Sequence, residues 1–247
     1  MQRMLTLSRT LAATAALLII AAATASAGGI NLAWNDCSPA GVASKTFACN
    51  SNTLAGAIMV ASAIAPVQMD QLNSEESEML LQTNQAALSP WWNLQTTGGC
   101  RTGIAGGFDF TSGPFTCLDP WQGGASGGLN YVAGYGAPNR AQIRTVCAIA
   151  GSTGITGTDE YYFFKVTLLG AKTTGTGSCA GCTDGACIVF TSLKLNQPAG
   201  VGDYTLTNPL VSQFITWQAG GAGVIGGCPG AVPTRTTTWG SVKSLYR

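Results

Sequence analysis

Nine cysteines and no histidine, behind a leader of the export type, constrain this chain of 247 residues more than any other feature. All nine follow the leader: Cys37, Cys49, Cys100, Cys117, Cys147, Cys179, Cys182, Cys187 and Cys228. In an exported protein such cysteines are interpreted first as a disulfide framework made in an oxidising compartment. The sequence therefore predicts a covalently cross-linked fold.

The N-terminus has the three parts of a secretory signal peptide. Arg3 and Arg9 form a short positive region, an apolar run of 13 residues follows from 11 to 23, and small residues precede Gly28. We expect cleavage after Ala27, because the apolar run is shorter than the roughly 20 residues of a membrane-spanning helix. No later run is long enough to span a membrane. The mature protein is therefore expected to be secreted or periplasmic.

The mature part is weakly charged. Without Arg3 and Arg9 it carries ten basic against eleven acidic residues, a formal net charge of −1. Such a balance gives no electrostatic attraction to nucleic acid or to an anionic membrane. No linker or repeat divides the sequence, so we expect a signal peptide at 1–27 and a single domain at 28–247.

Abundant glycine, 33 residues in all, and short alternating segments indicate many strands joined by tight turns. The predicted strands are 30–34, 53–62, 78–83, 103–113, 140–150, 161–169, 188–195, 203–207, 213–217 and 236–245. No strand–helix–strand rhythm appears. The sequence therefore predicts an all-β fold, a two-sheet antiparallel β-sandwich of the jelly-roll or immunoglobulin-like kind, stabilised by disulfides.

Two stretches are less regular. Residues 121–136 are rich in glycine and are predicted to form a long irregular loop. Residues 67–81 are ambiguous, because the segment 73–76 has the residues that cap a short helix. A strand from Glu78 to Thr83 is favoured over that helix.

The spacing of the cysteines suggests a pairing. The expected bridges are Cys37–Cys49 and Cys100–Cys117, with two more among Cys179, Cys182, Cys187 and Cys228. Cys147 lies in an apolar run and would remain as a buried free thiol. Other pairings stay open, because spacing does not fix connectivity.

The Cys-x-x-Cys spacing of Cys179 and Cys182 also resembles part of a structural zinc site. Export favours disulfides over metal thiolates, and the strand–helix context of a redox-active pair is absent. No cofactor is predicted. A structural calcium ion stays open at the turns 157–160 and 183–185, although these offer few oxygen ligands and are better interpreted as turns.

Catalytic residues are few. Without histidine, nucleophiles of the Ser-His-Asp and Cys-His kinds are excluded. A glycoside hydrolase needs two opposed carboxyl groups, and the candidates are Asp109, Asp119, Asp159, Glu160 and Asp203. We predict no catalytic residue and no enzyme, with a carboxylate-based glycoside hydrolase as an alternative.

Six tryptophans suggest a carbohydrate-binding module as a further alternative, since exposed rings stack on sugar faces. The candidate ligand-binding residues are Trp91, Trp92, Trp121, Tyr131 and Tyr135. In an extended segment, Trp91 and Trp92 would point to opposite faces, one into the core and one outward. The competing interpretation places most of the tryptophan rings in the core.

Four stretches resemble a group of secreted bacterial β-rich proteins that have no assigned activity. They are Gly29-Ile-Asn-Leu-Ala-Trp-Asn-Asp-Cys37, Pro90-Trp-Trp with Gly99-Cys-Arg101, Gly177-Ser-Cys-Ala-Gly-Cys182, and Gln197-Pro-Ala-Gly-Val-Gly-Asp-Tyr204. The resemblance spans most of the mature chain. It implies export and a compact β-rich fold, and it transfers no catalytic residue and no substrate.

These observations predict an exported, non-enzymatic protein that acts as a binding or structural component outside the cytoplasm. Polysaccharides or other extracellular proteins are the expected partners, and nucleic acid is not. An open sheet edge or a large apolar patch would indicate a structural subunit, whereas an exposed row of aromatic rings would indicate a binding module.

Overall fold

The computed structural model describes residues 28–38, 40–112 and 115–220. Eleven strands lie in this part of the chain, and its one helical element is a 3₁₀ turn, Pro90–Trp92. The strands are β1 (Gly29–Trp34), β2 (Ser44–Lys45), β3 (Ile58–Ile64), β4 (Met69–Thr83), β5 (Ile104–Gly107), β6 (Ser126–Ala133), β7 (Arg140–Ile155), β8 (Tyr161–Leu168), β9 (Ala186–Asn196), β10 (Tyr204–Leu206) and β11 (Phe214–Trp217). Among these residues, no helix has the length and apolar character needed to cross a membrane.

The strands form two sheets. The smaller has the order β1-β3-β8-β5, and the larger has the order β2-β11-β9-β4-β7-β6, with β10 paired to β9. Neighbouring strands are antiparallel, apart from the parallel pair of β2 and β11. The inner faces of both sheets contribute to one apolar cluster. The protein is therefore a disulfide-stabilised β-sandwich, as the sequence predicted.

The long strand β4 shows why alternation of apolar and polar residues predicts a strand with one buried face. On β4, Met79 and Leu81 are fully buried, whereas Glu78 and Leu80, which alternate with them, are only half-buried. Successive side chains of a strand point to opposite faces, so one face of β4 reaches the core. The strand begins at Met69 and includes the segment that could have capped a helix. Pairing with both β7 and β9 fixes this segment as sheet.

Aromatic rings fill one end of the core. Trp217 stacks on Phe47 at 4.0 Å between ring centroids, and it contacts Trp34, Trp91 and Trp92 at 5.1 to 6.1 Å. Trp91 and Trp92 lie in the 3₁₀ turn and are both fully buried. The expectation that one of the two rings faces outward is wrong, because it assumed an extended segment.

The disulfides cross the fold instead of closing short loops. The bridges within the described residues are Cys37–Cys117, Cys49–Cys182 and Cys100–Cys179. The expected pairs Cys37–Cys49 and Cys100–Cys117 are therefore wrong. The expectation of two bridges among Cys179, Cys182, Cys187 and Cys228 is also wrong, because Cys179 and Cys182 pair outside this group. The bridged residues lie 79 to 133 positions apart, and loops of this size restrict the unfolded chain by about 4 to 5 kcal/mol each in the entropy model.

The three remaining cysteines differ in bonding state and in whether the structure describes them. Cys147 is buried and is the one free thiol in the described part of the chain, as predicted. Cys187 is disulfide-bonded. Cys228 lies outside the described residues, as does the predicted strand 236–245.

Most predicted strands are present with shifted ends. The main error is the predicted loop at 121–136, which contains β6. The strand predicted at 53–62 begins at Ile58, and the one at 103–113 is limited to Ile104–Gly107. The two-residue strand β2 was not predicted. Glycine in β6 lowers its intrinsic strand preference, and pairing with β7 overrides that preference.

Candidate interaction edge

Among the strands of the described residues, β6 lies at one end of the larger sheet. Its eight residues pair with β7 without interruption, from Ser126 opposite Ala148 to Ala133 opposite Ala141. At the end of this ladder the amide of Gly134 donates to the carbonyl of Arg140 at 2.7 Å. Antiparallel pairs alternate between bonded and non-bonded positions, so the even-numbered residues of β6 bond to β7. The odd-numbered residues direct their backbone groups away from the sheet: Gly127, Leu129, Tyr131 and Ala133.

The other sheet edges are covered or short. The amides of Ile30 and Leu32 on β1 donate to the carbonyls of Asn208 and Ser212 at 2.9 and 2.8 Å, so the segment 208–212 closes that edge. The strands β2, β5 and β10 have two, four and three residues. Within residues 28–38, 40–112 and 115–220, β6 is therefore the longest strand with an open side.

The edge of β6 lacks the features that usually prevent strand addition. Its sequence, Ser-Gly-Gly-Leu-Asn-Tyr-Val-Ala, contains no charged residue and no proline. The register with β7 shows no bulge. Natural edge strands are commonly protected by charges, proline, bulges or short length. The geometry of β6 therefore permits pairing with a further strand.

The inner side of β6 is anchored to the core. Tyr131 is buried and its hydroxyl donates to the carbonyl of Trp92. Burial raises the pKa of this hydroxyl, so it stays a donor at neutral pH. Leu129 packs against β5, where a side chain at Gly106 would contact its Cβ at 3.1 Å. These contacts hold the strand in place, and no strand of the described part of the chain pairs with its outer edge.

A shallow trough lies on the outer face of this edge. It is lined by Gly128, Leu129, Asn130, Arg144 and Val146. The register places Asn130 beside Arg144 and Gly128 beside Val146. A side chain added at Gly128 would meet no atom within 4 Å, and Val146 is 48% exposed. The trough exists because glycine leaves the valine uncovered.

Arg144 carries an unneutralised charge at this trough. The guanidinium is exposed and makes no hydrogen bond or ion pair with the described residues. Its neighbour on β4 is Glu78, whose carboxylate accepts a hydrogen bond of 2.8 Å from Gln142. The ion pairs in the described chain both involve Lys194. The trough therefore presents a guanidinium that forms no ion pair in the described part of the chain, although Glu78 opposes it on β4.

The aromatic residues proposed for sugar binding lie mostly in the interior. The buried ones are Trp91, Trp92, Trp121 and Tyr131, at 0 to 8% exposure. The indole of Trp91 donates to Thr173, and that of Trp121 to the carbonyl of Phe163. Of the five candidates only Tyr135 is exposed, at 43%. The buried four present no ring face to a ligand at the surface.

The candidate acids are each held by local contacts. Thr111 donates to Asp109, which lowers the pKa of that carboxyl, and the amide of Trp121 donates to Asp119. Asp203 pairs with Lys194 at 3.0 Å, and this hydrogen bond lowers its pKa. The lowered pKa keeps Asp109 and Asp203 ionised at neutral pH, whereas a general acid must hold a proton there.

The other two acids line one shallow groove beside the disulfide of Cys37 and Cys117. Glu160 accepts hydrogen bonds from Asn31 at 2.7 Å and from Ser62 at 2.6 Å. Asp159 accepts from Thr156 within its own turn. The sulfur atoms approach Glu160 closely enough to suggest a metal site. Because the sulfurs are joined to each other, they offer no thiolate to a metal.

No protein-family model, no curated protein and no solved structure matches the chain. The candidate site therefore depends on geometry alone. Sequence interpretation missed Gly128 and Asn130, because 121–136 was assigned to a loop. It missed Arg144, which lies in a predicted strand, because the sequence does not show that this strand neighbours an open edge. The signal that could have found the strand is the alternation of Leu129 and Tyr131 with Asn130 and Val132, ending at a glycine-containing turn.

Proposed function

We propose that this protein is an exported, non-enzymatic binding or structural component that acts outside the cytoplasm by accepting a strand from a partner at β6. The observation that carries this proposal is the open edge, eight residues long, uncharged and without a bulge. The predicted leader and the three disulfides support a location in an oxidising compartment.

Strand addition follows from the hydrogen bonds that β6 leaves free. Four of its residues direct an amide and a carbonyl outward, and a partner strand can satisfy all of them at once. Each such bond contributes about 0.5 to 1.5 kcal/mol after the exchange with water. The anchored inner side reduces the ordering cost of binding, because the acceptor strand is already extended.

Site-specific photocrosslinking tests this function. A photoreactive amino acid would replace Asn130 at the edge and, as a matched control, Val201 at an exposed turn far along the chain. On irradiation of cells that export the protein, we expect a covalent adduct at position 130 and none at 201. Introducing Gly128→Lys into the position-130 variant should reduce the adduct, because lysine protects edges. Equal adducts at both positions, or none at 130, would contradict the proposal.

A further inference from the structure

We propose that the strand accepted by β6 is an extended segment of another extracellular polypeptide with one acidic residue and one large apolar residue two positions apart. The acidic residue lies opposite Asn130 and the apolar residue opposite Gly128. This inference rests on the proposed function and adds the chemistry of the partner. It is carried by two features of the trough, an arginine that forms no ion pair with the described residues and a valine that is exposed.

The arginine selects the acidic residue. An incoming strand would lie about 5 Å beyond β6 and about 10 Å from β7. Arg144 on β7 lines the trough together with Gly128 and Asn130 and is paired with Asn130, so the side chains of Arg144 and Asn130 share one face of the sheet. Among the described residues, no carboxylate forms an ion pair with it. A carboxylate on the incoming strand can pair with this charge across Asn130.

The glycine selects the large apolar residue. Gly128 lies between the incoming strand and Val146 and leaves open space above its Cα. A large side chain opposite an edge glycine can fold over it and cover the next strand. Burial of the exposed valine against that side chain would contribute to binding. Because side chains on one face recur every second residue, this residue is two positions from the acidic one.

Charge disfavours two other occupants. The residues 221–247 of this chain contain Arg235, Lys243 and Arg247 and no acid, so that segment would bring positive charge to Arg144. The β6 strand of a second copy contains no charged residue. Neither supplies the carboxylate that the trough would bind, and an acidic segment of another polypeptide does.

Short synthetic peptides test the inference on the full-length mature protein. The probe is an acetylated, amidated peptide of alternating threonine and serine with one glutamate and, two positions later, one phenylalanine. One matched peptide has lysine in place of glutamate, and a second has alanine in place of phenylalanine. Binding is measured by fluorescence anisotropy at low salt, and hydrogen exchange reports protection of the outward amides of Leu129 and Tyr131.

We expect the glutamate peptide to bind about fivefold more tightly than the lysine peptide. Arg144→Glu should reverse this preference, whereas Arg140→Glu, on the same face of β7, should leave it unchanged. Gly128→Val fills open space and should remove the advantage of phenylalanine over alanine. Raised salt should weaken the charge preference, because screening acts on exposed pairs.

The outcomes separate this inference from the proposed function. Equal binding of the glutamate and lysine peptides, with Leu129 and Tyr131 protected by both, would overturn the acidic partner and retain strand addition. Protection by no peptide would overturn both. The two amides could instead be protected already in the free protein. In that case, a dimer in ultracentrifugation would show that a second copy occupies the edge, and a monomer would show that a segment of the same chain occupies it. Either result would overturn the inference.

Discussion

The carboxyl group of Glu75 lies beside the thiol of Cys147 in the interior of the sandwich, at directly opposed positions of β4 and β7. Glu75 is fully buried and Cys147 nearly so. One carboxyl oxygen of Glu75 accepts a hydrogen bond of 3.1 Å from Thr145, and the other has no partner among the described residues. Burial raises the pKa of Glu75 to about 8 and raises that of Cys147. Both groups are therefore largely neutral at pH 7.

This pair predicts a stability that falls as the pH rises. The carboxyl of Glu75 ionises near its ordinary pKa of 4.5 in the unfolded chain and only near 8 in the folded one. Between these values the folded state holds a proton that the unfolded state has released, so the free energy of unfolding decreases with pH and levels off above 8. Glu75→Gln should stabilise the protein at pH 8 by up to about 4 kcal/mol, and change it little at pH 4.

Denaturant unfolding at several pH values measures this effect. Glu76→Gln is the matched control, because Glu76 is exposed on the opposite face of β4. Cys147, which faces Glu75 from β7, does not contribute between pH 4.5 and 8, because burial raises the pKa of its thiol above this range. An unchanged pH profile in Glu75→Gln would show that this carboxyl is ionised in the folded protein.

Arg101 predicts a second stability effect, because it is a buried cation without a carboxylate partner in the described residues. Its guanidinium lies 3.6 Å from the centre of the Trp91 ring, and its Nε donates to the carbonyl of Trp91 at 2.8 Å. Further donations reach the carbonyls of Leu169 and Ala171. Arginine supplies this fork of donors and lysine does not. We expect Arg101→Lys to lower the free energy of unfolding by about 2 kcal/mol.

The control is Lys172→Arg, since Lys172 donates to the carbonyl of Cys100 from an exposed position. Its effect should be within about 0.5 kcal/mol. Thermal and denaturant unfolding give both values. Equal stability of Arg101→Lys and the wild type would mean that the ring contact and the hydrogen bonds of the guanidinium contribute little to the free energy of unfolding.

The disulfides predict a specific peptide map. Non-reducing digestion should give linked peptides for Cys37–Cys117, Cys49–Cys182 and Cys100–Cys179, and Cys147 should react with alkylating reagents only after denaturation. Replacing both Cys49 and Cys182 by serine removes, of these three bridges, the one with the largest separation, 133 residues. We expect a loss of about 4 kcal/mol, whereas Cys147→Ala should cost about 1 to 2 kcal/mol. Linked peptides for Cys37–Cys49 would contradict the fold.

The sequence predicted the strands whose own side chains carry a clear pattern of alternation or of β-branched and aromatic residues. The strand at 161–169 is rich in aromatic and β-branched residues, and the segment 188–195 alternates, so both were located within one to two residues. The two-sheet architecture followed from many such segments without helical periods. The buried thiol of Cys147 also followed, because its run is apolar.

Contacts between segments that are distant along the chain could not be predicted from the sequence. The disulfide pairs depend on how the sheets stack, and spacing along the chain does not contain that information. Arg144 became a candidate only when the order β4-β7-β6 placed it beside an open edge. Trp91 and Trp92 were misjudged because proline and the surrounding rings fix a 3₁₀ turn there.

The closed edge at β1 gives the last prediction, because a buried side chain adds to the backbone hydrogen bonds that close it. Asn31 is fully buried, its amide oxygen accepts from the backbone of Val211 and Ser212 at 2.8 and 3.1 Å, and its amide nitrogen donates to Glu160. Asn31→Leu would leave these groups without their partner at a cost of about 2 to 3 kcal/mol. It would also loosen the segment 208–212 from β1 and expose a second edge. We expect association that grows with concentration in analytical ultracentrifugation.

Asn196→Leu is the control, since Asn196 bonds to Glu76 at the surface. A monomeric Asn31→Leu variant of wild-type stability would show that the backbone bonds of Ile30 and Leu32 close this edge by themselves.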